Sequence, residues 1–376
     1  MKITLLTLLF FTATAQAVQP FTNFFDGVRP TGMGNAFIAL ADDSNTLWYN
    51  PAGLADVEGV HFNALNSILG YDSQATLNRI DRAITKSETD KLFPLAMQHM
   101  RFNFMPTLIF PNFGISLFSQ SQGFFDLSDI VNRGLTAIAT HDQGFIVGAG
   151  VTPFDFPNFG KVSVGVSVKG FIRSSVTLEQ SGQNIIDQVG LDGIQDYVNN
   201  LYDTLSKQTS YGYGIGVSLG AKFQTQLRSK RKLKPTLSGA MTIDNLTNLI
   251  FTPISEQKVA PTNMRMDVNL GTALSVPISP SWTFNTTADI KNLFGRQGIS
   301  KNKRVEWIHF GAELKHSIFG IRGGINDGYL SYGFSLEFPP HTRIHFSSYD
   351  GEVARTSYEH HLRVYMLQLN IGFNPN

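Results

Sequence analysis

The sequence predicts an all-β fold, a transmembrane antiparallel β-barrel of about fourteen strands. Three observations point there. Apolar and small polar residues alternate with period two over long stretches. In "YGYGIGVSLGAKFQTQ", Tyr211, Tyr213, Ile215, Val217, Leu219, Ala221 and Phe223 share one face, and Gly212, Gly214, Gly216, Ser218, Gly220, Lys222 and Gln224 share the other. Such stretches run for about 9–14 residues, where a globular strand has about 5–6 and a membrane strand needs about 9–11. The connections between them alternate long and short, as in a barrel with long loops on one membrane side and tight turns on the other. Closure follows from the solvent, since an open sheet edge would leave backbone groups unpaired in hydrocarbon.

Composition agrees. Only 16% of the 376 residues are charged, low beside the roughly 25% of soluble domains. The formal net charge of +1 implies no nucleic-acid partner. The absence of Cys excludes a disulfide framework, a Cys-based metal site and a lipidated Cys.

Residues 1–17 read as a signal peptide: Lys2 supplies the positive start, Ile3 to Phe11 the apolar core, and Ala15-Gln16-Ala17 the small-residue cleavage pattern. That run is shorter than the roughly 20 residues of a membrane helix, and no later run reaches that length. An exported chain of this kind enters a membrane as strands, which places it in the bacterial outer membrane. Residues 18–59 form an N-terminal segment, and residues 60–376 form the barrel.

The strands begin near Val60, Phe102, Phe113, Gln143, Gly160, Tyr211, Pro235, Met266, Ser281, Val305, Ser317, Tyr329, His341 and Arg363. With both termini in the periplasm, the odd connections are extracellular and long, at roughly 70–101, 121–142, 173–210, 246–265, 292–304 and 350–362. The even ones are short, as at Pro111-Asn112, 153–158, 278–280, His316 and Pro339-Pro340. Two connections depart from the pattern: 227–234 is long for a turn, and "NDG" at 326–328 is short for an outer loop. Loops 70–101 and 173–210 carry apolar residues near helical spacing, among them Tyr197 and Leu201.

The stretch "TGMGNAFIALADDSNTLWYNPAGL" stands between the cleavage site and the first strand. Its Gly32-Met33-Gly34, Ala36, Ala41-Asp42-Asp43 and Asn50-Pro51-Ala52-Gly53-Leu54 resemble the N-terminal motif of the FadL-type outer-membrane barrel superfamily. "DIKNLF", "HFGAEL", "GIRGGINDGYLSYGFSL", "SYDGEV" and "LQLNIGF" in the C-terminal half resemble its PorV/TraF-like branch. The resemblance implies that residues 18–59 fold inside the barrel as a plug, or hatch, with Gly32, Gly34, Asp42, Asp43, Asn50, Pro51, Ala52 and Gly53 as its motif. A lumen bounded by about fourteen strands is too wide for wall side chains to fill. Asp42 and Asp43 are expected to meet inward cations such as Lys169 or Lys222, and Asn50-Pro51 to start a turn.

No nucleophile elbow, His-Glu-x-x-His or P-loop is present, and no enzyme activity, metal or cofactor is expected. His345 and Ser347 share one strand face and could serve a lipid hydrolase, against the plainer reading of a polar lumen wall. Phe124 and Phe125 in the loop stretch "GFFDL", with Tyr197 and Leu201, are candidate ligand contacts. Trp282, Trp307, Tyr211, Tyr329, Tyr349 and Tyr365 read as girdle aromatics. Two functions stand open. One is a passive channel for hydrophobic or amphipathic, fatty-acid-like molecules. The other is a non-transporting barrel that partners a periplasmic, secretion or surface-assembly protein, as the PorV-like resemblance implies.

Overall fold

The computed structural model describes residues 24–72, 98–126, 135–157, 159–190, 207–228, 233–246, 248–254, 260–293, 307–338, 342–352 and 361–373. Its strands are β1 (His61–Asp72), β2 (Gln98–Phe104), β3 (Thr107–Phe110), β4 (Phe113–Asp126), β5 (Leu135–Phe156), β6 (Gly160–Gln180), β7 (Ser210–Gln226), β8 (Thr236–Asp244), β9 (Thr252–Pro253), β10 (Asp267–Ser279), β11 (Trp282–Ile290), β12 (Ile308–His316), β13 (Phe319–Asn326), β14 (Tyr329–Phe338), β15 (Thr342–Glu352) and β16 (His361–Phe373). β2 and β3 are halves of one strand broken at Met105-Pro106, and both pair with β1 and β4. β9 lies off the path against β7, leaving a barrel of fourteen strands. All pairings are antiparallel, and β16 closes on β1 from Phe62↔Phe373 to Asp72↔Val364. No described helix is long and apolar enough to cross a membrane.

The alternation explains the two faces. On β6, Val164, Val166 and Val168 are exposed while Ser163 and Ser167 are buried. On β7, Tyr213 and Ile215 are exposed while Ser218 and Lys222 are buried. This inverts a soluble sandwich, whose apolar rows would face inward. Inward polar groups find partners across strands: Asn103 donates to Gln120 (3.0 Å), Gln368 to Asn66 (2.7 Å) and Arg173 to Asp142 (2.6 and 3.0 Å). Pairing is what makes their burial tolerable. The exterior sets the first prediction. Leu367 stands 48% exposed in mid-β16. Leu367→Arg should cost about 2–4 kcal/mol of stability in lipid vesicles, the penalty for a cation on the lipid face near the midplane. Urea titration of the vesicle-embedded barrel measures it.

Most strand starts fall within a few residues of those expected, but several boundaries move. β4 runs to Asp126 and β5 starts at Leu135, so the connection is shorter than 121–142, and "GFFDL" belongs mainly to a strand. β6 runs to Gln180, and helix Gly182–Val189 follows it, with Ser181 Oγ accepting from Asn184 N at its N-terminus. The short "NDG" turn has a local cause: Asp327 and Gly328 both take positive φ (51° and 87°), the conformation of a tight hairpin, and Asn326 pairs with Tyr329. At the opposite end, the 227–234 connection closes through Leu227 N to Pro235 O (2.8 Å). Tyr349 is buried and faces inward, so it is no girdle residue.

Residues 24–56 lie inside the ring of strands. Helix Val28–Gly32 packs on β13–β16, and the 3-10 turn Pro51–Asp56 on β4–β7. Helix Thr46–Tyr49 lies between them in sequence and touches β5. The largest fully buried side chains include Phe37, Met33, Ile38, Leu47 and Leu54, all from this segment. The apolar core of the molecule is therefore the inner segment with a few inward wall residues.

Candidate functional site

The inner segment and the wall around it make the site. At its centre is Arg29, buried, on the short helix Val28–Gly32. Its guanidinium forks onto Glu313 of β12, with Nε to Oε1 at 2.9 Å and Nη2 to Oε2 at 2.6 Å. Nη1 also donates to Asp42 (2.5 Å) and Asp43 (2.9 Å). Glu313 in turn accepts from Arg322 Nε (2.6 Å) and Asn285 Nδ2 (3.0 Å). Burial pulls the Arg29 pKa down, but Asp42, Glu313 and Asp43 outweigh it and hold the group well above its ordinary range. It is permanently charged, and paired bidentate contacts of this kind fix geometry as well as charge.

This corrects the expected partners of Asp42 and Asp43. They meet Arg29 of their own segment. Lys222 instead faces Asp56 (3.1 Å), together with Lys161 (2.6 Å), and Lys169 faces Asp244 (3.6 Å).

Wall side chains also reach the segment's backbone. Asp289 Oδ2 accepts from Phe37 N (2.6 Å) and Ile38 N (3.0 Å). Ser331 Oγ accepts from Gly34 N (2.9 Å), and His309 Nδ1 lies 2.9 Å from Gly34 O. Gly34 takes φ +65°, and a Cβ there would sit 2.2 Å from Phe310 O. Only glycine supplies both the left-handed backbone and the clearance. Gly32 packs against Gly333 of β14. Asn50 Oδ1 accepts from Ala52 N (3.0 Å) while Nδ2 donates to Ile38 O (3.0 Å), and Pro51 opens the 3-10 turn with no N–H to satisfy. Gly53 sits against Ala41 O, where a Cβ would lie 2.5 Å away.

Ser347, the hydrolase candidate, is 2.8 Å from Thr31 Oγ1. Its hydroxyl is part of the seating of the inner segment, and His345 faces the same interior.

Of the expected ligand contacts, Phe124 is buried on the inward face of β4. Phe125 belongs to the same strand, and Tyr197 and Leu201 lie outside the described residues. The aromatic set that does assemble is different. Inward Phe118 of β4 and Phe171 of β6 meet Phe24 at 5.4 and 4.9 Å between ring centroids. Trp48 packs on Phe24 and Phe118 (5.3 Å each) and on Phe25 (5.0 Å). Phe251, from the connection between β8 and β10, turns inward to Phe171 (6.2 Å) and lies under Arg173 (4.6 Å). Arg173 also donates to Thr262 O (3.0 Å), tying that connection to the wall. The sequence signal for this set was the break in the small-polar rows: Phe118 stands between Ser116 and Gln120, and Phe171 between Lys169 and Arg173.

These features define a class: a closed fourteen-strand antiparallel β-barrel with the N-terminal residues 24–56 packed against the inward side chains of its strands. No family model matches the sequence, and no curated protein does. Among solved structures, the chain is similar to the CymD monoaromatic hydrocarbon channel (12% identity over 95% of this chain and 99% of that one, TM-score 0.49). It is also similar to the Ralstonia pickettii toluene transporter TbuX (13%, 93% and 98%, TM-score 0.48) and to the Pseudomonas putida toluene transporter TodX (12%, 94% and 98%, TM-score 0.47).

Proposed function

We propose that this protein is a passive channel of the bacterial outer membrane for hydrophobic or amphipathic small molecules, with residues 18–59 as its plug and residues 1–17 as an export signal. The observation that carries the reading is the inward aromatic set. Phe118 and Phe171 of the wall and Phe251 of the connection between β8 and β10 form one run of rings with Phe24 and Trp48 of the segment. The rings seat the segment, and the same surface gives an apolar solute an apolar place to rest where the segment moves aside. The neighbouring cations are committed to carboxylates, Arg173 to Asp142 and Lys169 to Asp244. The site thus accommodates an uncharged ring or chain more readily than a free carboxylate. No energy source is involved, so flux follows the gradient.

The test is uptake in cells lacking the protein and in cells carrying it, comparing toluene with a medium-chain fatty acid. Faster entry of toluene, lost in a Phe118→Asn/Phe171→Asn pair with normal amounts of folded barrel, is the expected result. Uptake of both solutes that is independent of the protein overturns the channel.

A second reading rests on how closely segment and wall fit, since a barrel that never opens suits a scaffold for a secretion or surface-assembly partner. In-cell crosslinking that captures a stoichiometric partner, with no protein-dependent uptake, would favour it.

A further inference from the structure

Among the described residues, the outward faces of β4 and β5 carry a polar chain of hydrogen bonds. On the outward faces of neighbouring β4 and β5, Ser121 Oγ lies 2.8 Å from His141 Nδ1, and Gln143 Nε2 lies 3.0 Å from His141 Nε2. The three line up across and along the sheet, since Ser121 pairs with His141 in register and Gln143 is two residues further on the same face. Ser121 and Gln143 are exposed. Beside them a depression of about 440 Å³ opens to the outside. Its floor is small, at Gly123, Ala139 and Ser174, and exposed Leu69, Met100 and Phe102 flank it.

The direction of the hydrogen bonds follows from the donors. An amide nitrogen can only donate, so Nε2 of His141 accepts from Gln143, and the imidazole proton sits on Nδ1 and is given to Ser121. The Ser121 hydroxyl proton is then left over as a donor at the edge of the groove, polarised by the two bonds behind it. Among the described lining residues the one full cation, Arg101, turns its guanidinium inward to Asp26 and Gln122. The described lining therefore offers the Ser121 hydroxyl beside an apolar trough, with the Ser174 and Thr209 hydroxyls also on it and no lysine or arginine head turned into it. Because the trough is continuous with the apolar exterior, what reaches it is lipid.

We propose that this groove binds one acyl chain of a membrane lipid, with the Ser121 hydroxyl donating to the ester or amide carbonyl at the head of that chain. Binding, and not cleavage, is the chemistry the site supports. Ser121 is paired on both sides, to Phe102 and to His141, so the strand's backbone N–H groups are spent in the sheet and no oxyanion hole stands beside the hydroxyl. The inference rests on the membrane-barrel reading and does not depend on what the lumen conducts.

The experiment is native mass spectrometry of the mature chain with dilauroyl phosphatidylethanolamine and with its dialkyl ether analogue, which lacks the carbonyls. The wild-type barrel should retain the ester lipid about fivefold better than the ether, the worth of one neutral hydrogen bond. Ser121→Ala should abolish the preference while keeping ether binding. Ala139→Phe and, from the adjoining strand, Ser174→Phe should fill the trough and lose both lipids. Equal retention of ester and ether by the wild type, or undiminished retention in both filled variants, overturns the site. Insertion into phosphatidylethanolamine vesicles, read by heat-modifiable migration, is scored separately. A chain that does not insert overturns the membrane reading itself, whereas an inserted barrel with unselective lipid retention overturns only the groove.

Discussion

Glu313→Ala should loosen the inner segment from the barrel without unfolding the barrel. The carboxylate is fully buried between Arg29 of the segment and Arg322 of β13. Without it, two guanidinium groups face one another in the interior, and Arg322 keeps its bond from Nη2 to Ser335 Oγ (2.9 Å). Removing one member of a buried ion pair costs about 3–5 kcal/mol, because the remaining charge is left uncompensated. Arg29 still holds Asp42 and Asp43, which travel with it, so the segment keeps its internal structure and loses one of its ionic ties to the wall, while those of Asp26 with Arg101 and of Asp56 with Lys222 remain. The strand ladders are untouched: β12 pairs with β11 and β13 through backbone groups along its length. The loss therefore falls on local opening of the segment and not on global unfolding. Hydrogen exchange of residues 24–56 should accelerate by about two to four powers of ten, at 1.36 kcal/mol per power of ten. Conductance in planar bilayers should rise, while heat-modifiable migration stays normal. Glu313→Gln keeps one of the two acceptor oxygens, replaces the other with a donor and loses the charge, and should fall between. Unchanged exchange in Glu313→Ala would mean that the segment is held without this ion pair, by apolar packing and its other polar ties.

What the sequence made legible follows from the range of the forces involved. Strand alternation is local, and it placed β6, β7, β10 and β16 with their faces correctly oriented. Closure was legible because a membrane permits nothing else. The fold of the inner segment was not, since its partners lie far along the chain. Arg29 and Glu313 are separated by 284 positions, and nothing in the local pattern of Asp42-Asp43 distinguishes Arg29 from Lys169 or Lys222 as a partner. The aromatic set failed to register for a related reason. Period-two reading averages over a face, so single inward rings such as Phe118 and Phe171 pass as noise. Phe251 could not be read at all, because an apolar residue in a connection carries no periodicity. The loop boundary at 121–142 misled because Gly123 and the polar run Ser119–Gln122 look like turn material. In the barrel Gln120 and Gln122 belong to the inward polar wall, and Ser119, Ser121 and Gly123 to the outward face, of one long strand.

Gly165→Val should unseat the Asn50–Asp56 turn while leaving the barrel at least as stable as before. Gly165 lies on the inward face of β6, where a Cβ would stand 2.3 Å from Pro51 C and 2.4 Å from Ala52 N. These are backbone atoms of a turn held by Asn50, so no side-chain rotation relieves the clash. The adjacent strand meets the same turn, since a Cβ on Gly220 would lie 2.1 Å from Asn50 Oδ1. The two glycines thus form a socket shaped to the Asn-Pro-Ala turn, and their absent side chains are what admit it. For the strand itself, valine is the better residue, because a β-branched side chain suits a pleated sheet and glycine weakens it. The two effects have opposite signs and different owners, so they separate by measurement. Exchange of residues 50–56 should rise sharply, and permeability to small hydrophobic dyes with it, while the barrel's urea midpoint holds or increases. Gly239 is the control: it lies in β8, and a Cβ there meets nothing within 4 Å. Gly239→Val should leave both exchange and permeability at wild-type levels. Were Gly165→Val to behave like Gly239→Val, the turn would have room to shift, and the close wall contact could not be what holds the interior shut.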